Sequence, residues 1–94
     1  MKTESGFTVP TIHLNGTSGE RLLDDQIEIG KHLNNAIAAL YANGPNARDY
    51  YIEGNFATAN AEHLDRLKRL QTVYREIEEI VNALQDQIDK RAVR

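Results

Sequence analysis

Asn46, Arg48, Asp49, Tyr50 and Tyr51 fall within one short stretch of the chain. Their side chains suit recognition better than bond making. Arg48 offers a planar fork that matches a carboxylate or phosphate. Tyr50 and Tyr51 offer flat rings with polar tips, suited to stacking on a base or filling an interface. Asn46 and Asp49 favour turns in which the side chain bonds the backbone nearby. The expected chemistry is capture of a small anionic ligand with a flat moiety. A structural alternative stands beside it. Arg48 and Asp49 then bridge locally, one tyrosine fills the end of a helical bundle, and Ile52 and Phe56 plug its core.

Two further groups extend this candidate site. Thr17 and Ser18 open a helix behind Asn15-Gly16, where free backbone amides can meet an anion. Arg66, Lys68 and Arg69 form a basic cluster, with Arg75 further on, among Glu62, Asp65, Glu76 and Glu79. The bland reading of that cluster is a solvated, locally paired face. In an oligomer, Arg66 or Arg69 of a neighbouring chain can join Arg48.

Catalysis finds no comparable support. Asp24, Glu28 and His32 share one helical face and can form a proton relay, but an exposed acidic stripe is the ordinary reading. No nucleophile with a partnered base accompanies them, and the chain has no cysteine. His13, His32 and His63 sit on separate elements without metal-ligand spacing. The expectation is therefore a protein that is not an enzyme and carries no metal or cofactor.

These residues need rigid supports, and hydrophobic periodicity shows which. Residues 1–6 are polar and expected to be disordered; residues 7–16 form an extended arm bent at Pro10. Helix 1 is expected over 17–43, with Thr17 as N-cap and Glu20 completing a capping box. Leu22, Ile29, Leu33, Ala36 and Leu40 mark one apolar row, with the polar Gln26 in series; Leu23, Ile27, Ile37 and Tyr41 mark a second. Asn43-Gly44-Pro45 is a stop, with glycine supplying a left-handed cap. The loop is 44–55. Helix 2 follows over 56–92, kept in phase by Leu64, Leu67, Leu70, Val73, Tyr74, Ile77, Ile80, Val81, Leu84 and Ile88. Lys90, Arg91 and Arg94 suit its C-terminal dipole.

The expected fold is all-α: a long antiparallel two-helix hairpin with an extended N-terminal arm, completed as an oligomeric helical bundle. The length of 94 residues allows one domain, and without disulfides such a small chain needs another source of stability. Helix 2 outruns helix 1, with Leu84 and Ile88 expected in the overhang. A homo-oligomer, as a dimer or a higher ring, covers that excess. The net charge of −3 argues against a long nucleic acid or an anionic membrane as partner. No apolar run is long enough to span a membrane. Met1–Gly6 carry no apolar leader, so the expected location is the cytoplasm.

Pro10-Thr11-Ile12-His13-Leu14-Asn15-Gly16-Thr17-Ser18 and Pro45-Asn46-Ala47-Arg48-Asp49-Tyr50-Tyr51, followed by a long helix containing Glu62-His63, resemble a family of small uncharacterised proteins of tailed bacteriophages and prophages. The resemblance covers most of the chain and brings no catalytic residue. It implies a virion accessory or an inhibitor of host defence, acting in the bacterial cytoplasm. In overall shape the chain is also similar to small helical oligomers that sequester cyclic-nucleotide immune signals. The functional expectation is thus a non-enzymatic sponge for a small anionic ligand such as a nucleotide signal, with a structural or protein-binding scaffold as the alternative.

Overall fold

A computed structural model describes residues 1–92; the expected dipole contact of Arg94 lies outside them. Helix α1 spans Gly19–Ala42, a single 3-10 turn spans Ala47–Asp49, and helix α2 spans Phe56–Ala92. The helices run antiparallel as a hairpin. Gly19 lies against Ile88, Gly30 against Tyr74 and Ile77, and Gly44 against His63. The molecule is a rod of 66 × 22 × 21 Å.

The seam between the helices follows alternating steps of three and four residues. On α1 it comprises Gly19, Leu23, Gln26, Gly30, Leu33, Ile37 and Leu40; on α2 it comprises His63, Leu67, Leu70, Tyr74, Ile77, Val81, Leu84 and Ile88, and all these residues are buried or half-buried. This spacing keeps one narrow stripe facing the partner helix. The core is thin. Val9, Leu67 and Leu84 are the buried apolar side chains among the described residues.

Helix α1 starts one step later than its first capping candidate suggests. Ser18, not Thr17, is the N-cap, and its hydroxyl accepts from the Arg21 amide at 3.1 Å. Either residue suits the position. Starting at Gly19 brings the smallest residue to within close approach of Ile12 and Ile88, where a Cβ would meet them at 2.9 and 3.2 Å. Removing the cap with Ser18→Ala should cost about 1 kcal/mol in urea titrations, whereas Thr17→Ala should cost almost nothing. A larger loss from Thr17→Ala than from Ser18→Ala would restore Thr17 as the cap.

The far end of α1 also differs from expectation. Asn43 closes it, with its side-chain amide donating to the Ala39 carbonyl at 2.7 Å. Gly44 is not left-handed; the glycines with positive φ are Gly6 and Gly54. Gly44 instead makes room for the His63 ring, which a Cβ would meet at 3.4 Å. The left-handed Gly54, at φ 67°, turns the chain into α2.

The expected overhang falls at the other end of the rod. Because Gly44 sits beside His63, the extra turns of α2 lie next to the loop, and Ile88 is matched by Gly19. Leu84 is not left bare: it is 1 % exposed. The N-terminal segment helps to close this end. Residues 1–6, expected as disordered, form a tight turn instead. Thr3 accepts from the Gly6 amide and donates its own amide to Phe7, and Val9 N–H donates to the Met1 carbonyl. Lys2 and Thr8 form an isolated antiparallel bridge. The turn is tied to α2 by polar bonds. The Thr3 hydroxyl donates to one Glu79 oxygen at 3.0 Å, and the Ser5 hydroxyl donates to the other. Gln87 accepts from Ile12 N–H and donates to the Pro10 carbonyl, both at 2.9 Å. Val9 is thereby sunk to 2 % exposure.

Candidate functional site

The loop end of the rod holds the Asn46–Tyr51 group. Asn46 caps the 3-10 turn, its side-chain oxygen accepting from the Arg48 amide at 3.0 Å. The same oxygen accepts from Arg48 Nε at 3.4 Å, which holds the guanidinium near the turn. No ion pair joins Arg48 to Asp49 among the described residues, and both are exposed. The tyrosines divide their roles. Tyr50 is half-buried and tilts against Phe56, ring centres 6.3 Å apart. It packs at the loop end of the hairpin, but Ile52, which the structural alternative placed in the core, stands in solvent. Tyr51 is 75 % exposed and Ile52 86 % exposed.

The other predicted residues lie elsewhere. Thr17 and Ser18 sit at the opposite end of α1, about 36 Å away by helical rise. Ser18 is spent on its cap. Arg66 and Arg69 project from α2 roughly 15–20 Å along its axis from Phe56. Arg69 is held by Asp65 at 3.0 Å, while no carboxylate lies within ion-pair distance of Arg66 among the described residues. One protomer therefore brings Asn46, Arg48, Asp49, Tyr50 and Tyr51 together and sets the Thr17–Ser18 group at the far end of α1, while Arg66 and Arg69 follow His63, the residue beside Gly44, on α2.

The carboxylate–histidine stripe is an ordinary surface pair. His32 Nε2 lies 3.0 Å from Glu28 Oε1 with both side chains exposed. Among the described residues no cluster of three or more His, Asp or Glu side chains could hold a metal ion. No described helix is long and apolar enough to cross a membrane.

Sequence reasoning passed over a different place. A groove of about 300 Å³ runs along the seam, lined among others by Gln26, Ile27, Gly30, Lys31, Tyr74 and Glu78. Its floor is low because Gly30 contributes no side chain. Gln26 Oε1 is buried there without a hydrogen-bond partner. The signal available in the sequence was a glycine and a glutamine in consecutive seam positions where apolar residues belong. No protein family, curated protein or solved structure matches this chain.

Proposed function

We infer that this chain is a non-enzymatic adaptor of the kind that tailed phages encode, a helical rod whose loop tip docks a protein partner. One observation carries this reading: Tyr51 and Ile52 stand almost fully in water at the end of the rod. An exposed aromatic beside a large aliphatic side chain is what protein interfaces bury at their centre. The turn bonded by Asn46 and the Tyr50–Phe56 contact fix the tip in advance, which lowers the entropy cost of docking.

Affinity capture from infected cells tests the reading. The wild-type chain should recover one stoichiometric protein, and the Tyr51→Ser and Ile52→Ser variants should lose about tenfold or more in affinity while keeping their helical circular dichroism. Equal recovery by all three would reject tip docking.

Sequestration of a small anionic ligand is a second reading. Its support is that Arg48 and Arg66 have no carboxylate partner among the described residues. The site would be assembled between copies, with the exposed Tyr51 rather than the half-buried Tyr50 stacking on the ligand. Calorimetry with cyclic di- and trinucleotides should then give heat that Arg48→Ala removes; absence of heat with the whole panel rejects it.

A further inference from the structure

We propose that the groove face of the hairpin is the docking surface for a second copy of this chain, packed about a two-fold axis parallel to the rod. In that arrangement α1 of each copy lies over α2 of the other at the same height, and every neighbouring pair of helices in the four-helix bundle is antiparallel.

Charge is the first argument. Lys31 stands on the α1 rim of the groove and Glu78 on the α2 rim. Neither is within ion-pair distance of an opposite charge among the described residues. The two-fold carries the α1 rim of one copy over the α2 rim of the other. It therefore sets Lys31 of each copy against Glu78 of the other, making two ion pairs from four unpaired groups.

Apolar matching is the second. At about 100° per residue, Ile27 and Tyr41 on α1 and Leu64 on α2 point to this same flank of the seam. All three are exposed in the single chain. The axis lays Tyr41 of one copy over the Leu64 region of the other, because Gly44 and His63 stand at one height. The empty floor at Gly30 admits side chains from above, and a Cβ there would have Tyr74 and Ile77 as ordinary neighbours at 3.8 and 3.9 Å.

Size and availability agree. The part of this face along which both helices run measures roughly 36 Å by 22 Å, or about 800 Å², the area each partner contributes to a standard interface. The N-terminal segment borders this face at Asn82, which lines both the groove and the cavity beside Met1–Glu4. Its anchoring bonds, from Thr3 to Glu79 and from Ile12 to Gln87, lie on the back and other flank of α2, which leaves the Gly30 floor open.

The proposal is independent of tip docking, since Tyr51 and Ile52 lie outside the interface. Sedimentation equilibrium of the full chain tests it. The wild type should sediment as two copies, and Lys31→Glu and Glu78→Lys should each weaken pairing by about tenfold or more, because each places like charges opposite one another twice. Mixing the two single variants should restore pairing as a mixed dimer, identifiable by native mass spectrometry. Complementation on mixing separates a contact between copies from one within a hairpin. A wild type that stays monomeric at high concentration overturns the proposal. So does pairing unaffected by either reversal, which would point to the Ile29–Val73 flank, or a mixture no tighter than its components.

Discussion

Leu84→Ala should lower the unfolding free energy by about 2–5 kcal/mol, the cost of a cavity at a fully buried leucine. Few positions in this chain carry as much. Leu84 is 1 % exposed, in a rod whose other buried apolar side chains among the described residues are Val9 and Leu67. Small domains are stable by only about 0.05–0.15 kcal/mol per residue, so this change consumes much of the reserve. Urea unfolding followed by far-UV circular dichroism, at fixed protein concentration, measures it. Hydrogen exchange adds a spatial readout. Amides of Thr3 and Val9, protected by the turn at the same end of the rod, should exchange faster in the variant. An unchanged midpoint would mean that the end of the rod is not held by this side chain.

Gln26→Leu should act in the opposite direction, raising stability by about 1–3 kcal/mol. Gln26 occupies a seam position and its Oε1 is buried without a hydrogen-bond partner. Leucine has similar reach, removes the orphaned acceptor and adds apolar contact to a thin core. Gln26→Ala separates the two contributions, since it removes the acceptor but leaves space; it should gain less than leucine or lose. A destabilised Gln26→Leu variant would show that the amide is satisfied in solution, for instance by water or by a second copy. A polar group in a helical seam can also fix register at a cost in stability. The leucine variant should therefore populate more than one assembly in native mass spectra if Gln26 has that role.

The two helices were legible because their information is local and periodic. Helix α2 keeps its apolar residues in phase from Leu64 to Ile88 without a glycine or proline, and the structure places it at Phe56–Ala92. The choice between Thr17 and Ser18 as cap was not legible, since both are good caps and a single-residue shift decides it. The docking of the N-terminal segment was hidden more deeply. It depends on Thr3 and Ser5 with Glu79, and on Gln87 with the backbone of Pro10 and Ile12. Polar pairs so distant in sequence leave no periodic trace. The overhang was misplaced for a related reason. Helix lengths gave its size, but only the approach of His63 to Gly44 sets the register that says which end it occupies. Of the loop, the turn chemistry of Asn46 was readable; that Tyr50 turns inward and Tyr51 outward was not, because adjacent tyrosines are equivalent until the fold separates them.

The bonds from Thr3 to Glu79 and from Ile12 to Gln87 also set an order of events. A ribosome makes residues 3–12 long before residues 79–87, so the segment emerges first and finds its seat last. Until then α1 presents its seam without α2 to cover it. Closing so long a loop is slow to be rewarded, and the contacts that seal the rod cannot nucleate its folding. The seal is available only to a chain whose second helix has been completed through Gln87.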